Sequence, residues 1–79
     1  MRLLGRSAFI TGAAKGIGLS VARAFSKEGA TVALADMSGD EAIRQASEIE
    51  SETGNKAFGI ECDVADKQSV ENAIEKAAD

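Results

Sequence analysis

Thr11, Gly12, Ala13, Ala14, Lys15, Gly16, Ile17 and Gly18 form a Thr-Gly-x-x-x-Gly-x-Gly stretch between an apolar run and a segment of helical periodicity. Glycines at such a junction can serve phosphate binding. Gly12 permits a tight turn with an unusual φ, Gly16 lets a pyrophosphate approach the backbone, and Gly18 lets the helix pack closely on the sheet. The free N–H groups and positive dipole end of the helix attract the phosphates, even in a chain of net charge −4. A turn that merely needs flexibility would use the same glycines, so a second residue has to support the reading. Asp36 lies eighteen residues after Gly18, close to the ~20-residue offset at which a carboxylate accepts hydrogen bonds from an adenosine ribose. It would also repel a 2′-phosphate, which favours NAD over NADP. The plainer role for Asp36 is a solvent-facing acid capping the next turn, with Ser38 and Asp40 nearby.

The elements that must position these residues repeat one theme three times: a short apolar run, a Gly or Asp turn, then a helical pattern. Strands are expected over Ser7 to Thr11, Thr31 to Asp36 and Ala57 to Cys62. The first helix should run from about Gly16 to Glu28 with Ile17, Val21, Ala24 and Phe25 as its buried stripe, and Gly29 should end it at positive φ. Ser38 and Glu41 stand in the Ser-x-x-Glu relation of a capping box. They start a second helix near Gly39, with Ile43, Ala46 and Ile49 buried and Gly54 as its stop. Asp66 can cap a third helix carrying Val70, Ala73, Ile74 and Ala77 as far as Asp79. Strands separated by helices pair in parallel through right-handed crossovers. The fold class is therefore α/β, a Rossmann-like half, β-α-β-α-β-α with parallel sheet order 3-2-1, three-layered if complete. The first strand then lies at an edge although its sequence suits an interior strand, which suggests a missing neighbour.

Composition narrows the function classes. The 79 residues leave room for one small domain. No stretch approaches the ~20 apolar residues of a membrane span, and Met1 to Leu4 do not open a secretory signal. An isoelectric point near 4.7 argues against nucleic acid as a partner. The lone Cys62 fits a reducing cytoplasm. With no His to activate its thiol, Cys62 reads as a small core residue. Glu48, Glu50 and Glu52 read as a solvated helix face, and no metal-ligand spacing is present.

From Gly5 to Asp79 the chain resembles the N-terminal, cofactor-binding part of a short-chain dehydrogenase/reductase. The resemblance rests on Thr11 to Gly18, on Gly29-Ala30-Thr31-Val32 and on Cys62-Asp63-Val64. It implies a site for a dinucleotide cofactor in which Gly12, Gly16 and Gly18 shape the phosphate turn, with Ala14 and Lys15 beside them. Ile17 would lie beside the nicotinamide end, Asp36 would select the ribose, and Met37 would also border the cofactor. Asp63 would touch the adenine through its side chain and Val64 through its backbone; a turn role is the alternative for Asp63. In that family a basic residue at the position of Lys15 often accompanies NADP, but Met37 adds no second positive charge, so NAD remains the expected cofactor and NADP the lesser one.

The departure from the family is an absence. Its Tyr-x-x-x-Lys pair, upstream Ser and Asn-Asn-Ala-Gly stretch are not found, and the chain holds no tyrosine. The phenol is the proton donor or acceptor at the substrate oxygen. Residues 1–79 are therefore expected to be the partial NAD(P)-binding Rossmann domain of a larger single-domain enzyme, catalytically inactive alone. The parent would be an NAD-dependent oxidoreductase of a secondary alcohol or ketone. A stand-alone or engineered non-catalytic nucleotide-binding module is the alternative. An isolated chain should self-associate through its exposed first strand, and the parent should be a homo-oligomer. A methyltransferase using S-adenosylmethionine shares the Gly-rich turn and the acid but fits Thr11 to Gly18 poorly.

Overall fold

The computed structural model describes residues 6–63 and 65–78, apart from the side chains of 73–78. The elements are β1 (Ser7–Thr11), α1 (Gly16–Lys27), β2 (Thr31–Asp36), α2 (Gly39–Thr53), β3 (Ala57–Glu61) and α3 (Lys67–Ala78). Val64 and Asp79, the residues Met1 to Leu4, and the inward packing of Ala73, Ile74 and Ala77 lie outside the described parts. The three strands form a parallel sheet in the order β1-β2-β3, the same order as 3-2-1 seen from the other edge. Ser7 faces Thr31 and Thr11 faces Ala35, while Val32 faces Ala57 and Asp36 faces Glu61.

β2 is central because its run Val32-Ala33-Leu34-Ala35 is buried on both faces. Side chains alternate across a strand, so Val32 and Leu34 point one way, into a cluster with Ala22 of α1 and Ala42, Ala46 and Ile49 of α2. Ala33 and Ala35 point the other way, with Ile60 and Cys62, against Phe9, Phe58 and Val70 of α3. Two helices therefore cover one face and the third covers the other, a three-layer arrangement. Cys62 is buried, as a core residue should be.

The buried helix faces differ from the sequence expectation. On α1 the buried residues are Ala22 and Ser26, with Leu19 and Phe25 packed beside them. Ile17 is 84% exposed, Val21 37% exposed, and Ala24 is also exposed. On α2 the buried series is Ala42, Ala46 and Ile49, spaced by four and three, while Ile43 is 56% exposed. On α2 the cause is close approach. A Cβ built on Gly59 would stand 2.5 Å from the carbonyl carbon of Ala42 and 2.6 Å from its oxygen. α2 lies so near β3 that an alanine fits the contact and a larger side chain is turned aside.

The helix ends also contain a correction. Gly29 and Gly54 take positive φ, 101° and 76°, and end α1 and α2 as their type requires. Asp66 caps α3 through Oδ1, which accepts from the N–H of Gln68 at 3.0 Å. The capping box, however, does not form: Ser38 is the N-cap of α2 without a side-chain cap bond. Glu41 instead receives hydrogen bonds from Arg44 at 2.6 Å and Gln45 at 2.8 Å. The acidic series of α2, Glu48, Glu50 and Glu52, is exposed, and Arg23 of α1 donates to Glu52 at 3.0 Å. Beside that pair, the buried Ser26 shares a 2.7 Å hydrogen bond with Thr53, and Asn55 donates to the Ser26 carbonyl at 2.8 Å. These contacts join α1 to α2 at the amino edge of the sheet and leave the carboxyl edge to other uses.

Candidate functional site

Parallel strands bring their carboxyl ends to one edge, and there the turn after β1, the end of β2 and the segment after β3 meet. Ligands of open α/β sheets bind outside this edge. Gly12 and Gly16 have φ of 61° and 67°, values that L side chains rarely adopt, and a Cβ on either would meet no atom within 4 Å. The main chain of the turn is thus bare on its outer side. A Cβ on Gly18 would collide with the Gly12 carbonyl oxygen and stand 2.8 Å from its carbon. The close packing expected of Gly18 is therefore against the turn itself rather than the sheet.

Asp36 connects this turn to β2. Its Oδ2 accepts the N–H of Ala14 at 3.1 Å and its Oδ1 accepts that of Ser38 at 2.9 Å. The Ala13 N–H donates to the Ala35 carbonyl at 3.2 Å, fastening the turn a second time. The Ser38 hydrogen bond, then those from Ala14 and the charge of Lys15, hold the Asp36 carboxyl below the usual carboxylate range, against an opposing effect of partial burial. An ionised carboxylate offers about four lone-pair sites. Two N–H groups leave it able to accept from a further hydroxyl pair.

The helix behind the turn is prepared for an anion in another way. α2 has Asp40 and Glu41 in its first turn, and α3 has the Asp66 cap. α1 has neither: Lys15, its N-cap, is extended with no side-chain cap bond, and no acid lies in its first turn. Its orphan N–H groups and positive dipole end are left for something outside the helix.

The remaining sequence-predicted residues are distributed unevenly. Ala14 is buried and its N–H is committed to Asp36, so it shapes the turn and presents no side chain. Lys15, Ile17 and Met37 are exposed at the same edge, Met37 to 66%. Two clefts open there. One of 390 Å³ is lined by Ala14, Lys15, Gly16, Ser38, Glu41 and others, and one of 510 Å³ by residues that include Met37, Ser38, Glu41 and Glu61. Asp63 is used in a turn, its Oδ1 accepting the N–H of Ala65 at 2.9 Å and its own N–H donating to Ser69 Oγ at 2.9 Å. The sequence reading did not single out Ser38 or Glu41 for this edge. Their place after β2, adjoining Asp36, was the available signal.

Comparison with known proteins agrees with this fold. The short chain dehydrogenase family matches residues 6–79. Sorbitol dehydrogenase from Cereibacter sphaeroides is 42% identical over 79 residues, which are 100% of this chain and 29% of that protein. The crystal structure of hydroxysteroid dehydrogenase from Escherichia coli superposes with a TM-score of 0.90 at 37% identity, covering 96% of this chain and 32% of that one. L-sorbose reductase from Gluconobacter frateurii, in complex with NADPH and L-sorbose, gives a TM-score of 0.90 at 33% identity, covering 96% of this chain and 29% of that one. The chain belongs to the short chain dehydrogenase family, oxidoreductases that use NAD or NADP. It spans less than a third of the length of these relatives. No helix among the described residues is long and apolar enough to cross a membrane.

The Asp36 contacts carry a pH dependence. A carboxyl whose folded pKa is depressed stabilises the fold fully above its unfolded pKa, and that contribution is lost as pH falls through the lower folded value. The urea midpoint of the chain should therefore fall on acidification below about pH 4, and Asp36→Asn should flatten that part of the profile. An unchanged slope in the variant would contradict this role for Asp36.

Proposed function

We propose that residues 1–79 form the NAD-binding segment of a short chain oxidoreductase acting on a secondary alcohol or ketone, as the N-terminal portion of a larger single-domain enzyme. The observation that carries the reading is the Asp36 carboxylate, anchored by two N–H groups at the carboxyl edge beside a bare glycine turn and the uncapped start of α1. These residues suit the cofactor. Gly12, Gly16 and Gly18 with the first-turn N–H groups of α1 would receive its phosphates, and Asp36 would accept from the ribose hydroxyls. Ile17 would border the nicotinamide, Met37 and Asp63 the adenine side, with Val64 assigned there by resemblance alone. When bound, nicotinamide supplies the hydride acceptor or donor. With neither tyrosine nor histidine in residues 1–79, the chain alone is expected to be inactive. Sorbitol and L-sorbose, named for two similar proteins, carry a secondary alcohol and a ketone and support the substrate class.

Preference for NAD rests on Asp36, whose charge would face a 2′-phosphate. The NADPH in L-sorbose reductase and the presence of Lys15 weigh the other way. A second part of the reading concerns β1, which among the described residues pairs only with β2 and carries no charge from Ser7 to Thr11. Such an edge lacks the devices that prevent pairing with another chain. The 79-residue chain should associate through Ala8 to Thr11, and the parent enzyme should be a homo-oligomer.

Two measurements test these statements. In calorimetry the chain should bind NAD more tightly than NADP, and Asp36→Arg should weaken NAD by about tenfold or more, as expected for loss of charge-assisted hydrogen bonds, while favouring NADP. Tighter NADP binding by the unaltered chain would overturn the assignment. Sedimentation of the same chain at tens of micromolar should reveal dimers or larger species, and a clean monomer would contradict edge pairing.

A further inference from the structure

Lys15 is the one basic residue of the glycine turn, and a free ammonium there would be a ready receptor for a 2′-phosphate. Its surroundings bear on whether it is free. The 390 Å³ cleft that Lys15 lines with Gly16 and Ser38 is also lined by Glu41 and Gln45. Glu41 also lines the neighbouring cleft with Met37 and Ser38, so it stands between the two. Its carboxylate is not loose. Arg44 Nη2 donates to both oxygens, at 2.8 and 2.6 Å, and Gln45 Nε2 donates to Oε2 at 2.8 Å. These donors fix its position from the helix side.

From this geometry we propose that Glu41 is a second specificity-determining residue, a positioned carboxylate that acts with Asp36 to counter the charge of Lys15 and disfavour a 2′-phosphate in the cleft. The inference rests on the dinucleotide reading above and extends it to a residue that the glycine motif and Asp36 do not include. The positive charge of Lys15 acts on both carboxylates, helping to lower the Asp36 and Glu41 carboxyls, although the chief cause at Glu41 is the Arg44 hydrogen bond. Arg44 has the opposite effect on the cleft. It partly offsets the Glu41 charge, so its removal leaves the carboxylate more strongly negative. Because the groups are exposed, the effect is modest and sensitive to salt.

The test is the ratio of NADP to NAD dissociation constants for the 79-residue chain, for Glu41→Gln and for Arg44→Met, at low and high salt. Glu41→Gln should shift the ratio toward NADP by about two- to fivefold, the scale of exposed charge pairs. Arg44→Met should shift it toward NAD, and both shifts should shrink at high salt. A merely structural change would move both dinucleotides together and leave the ratio alone. An unchanged ratio in Glu41→Gln, or shifts of the same sign in the two variants, would overturn the role of Glu41 while leaving the NAD site intact. Failure of the unaltered chain to bind either dinucleotide would overturn the cofactor reading, and this inference with it.

Discussion

The Asp36 carboxylate ties the glycine turn to the end of β2, beside the backbone bond from the Ala13 N–H to the Ala35 carbonyl. β1 and β2 are joined by parallel ladder bonds only as far as Thr11 and Ala35, and beyond that point the glycine turn has few partners. Asp36 bonds the Ala14 N–H on one side and the Ser38 N–H on the other. It therefore fixes where the turn ends, where α1 begins and where α2 departs from β2. Because both bonds go to an ionised acceptor, they belong to the stronger class of hydrogen bond. A carboxylate so engaged is oriented before any ligand arrives, and on the proposed reading that preorganisation is what makes it a ribose acceptor.

The two edges of the sheet are built from different materials. At the amino edge, Ser26, Thr53 and Asn55 form a partly buried polar joint, and Arg23 meets Glu52 across the same helices. The exposed ion pair adds little to stability, but the Ser26 hydroxyl is fully buried and has to be satisfied. At the carboxyl edge, by contrast, the start of α1 is uncapped and two glycines sit at positive φ with nothing before them. The helices are fastened where no ligand is proposed, and the backbone is bare where one is. The position of α3, opposite α1 and α2, fits the same proposal. A right-handed crossover from that face would return beside β1.

Much of this was legible in the sequence because it rests on local signals. The bounds of β1 and β2 follow from apolar runs ended by Thr11 and Asp36, and Gly29 and Gly54 mark helix ends through φ. The buried faces were less legible. Large residues dominate a periodicity reading, so Ile17, Val21 and Ile43 looked like core. The sheet instead buries Ala22 on α1 and Ala42 and Ala46 on α2, and at Ala42 the close approach of α2 to Gly59 admits only a small side chain. Ser38 and Glu41 matched a capping box by spacing, but Arg44 and Gln45, one turn further along α2, compete for the Glu41 carboxylate. At the site, the spacing from Gly18 to Asp36 identified the right pair of segments. It did not disclose that Asp36 bonds the turn itself, since a contact between Ala14 and Asp36 depends on the register of β1 against β2.

On the proposed reading the carboxyl edge, organised by Asp36, receives a dinucleotide on the glycine turn. The most direct measurement is a two-dimensional amide spectrum of the isotope-labelled 79-residue chain during titration with NAD. The amides of Gly12, Gly16, Ile17, Gly18 and Ser38 should shift progressively, whereas those of Ser26 and Asn55 at the opposite edge should stay in place. No shifts at saturating NAD, or shifts centred on Ser26 and Asn55, would contradict it.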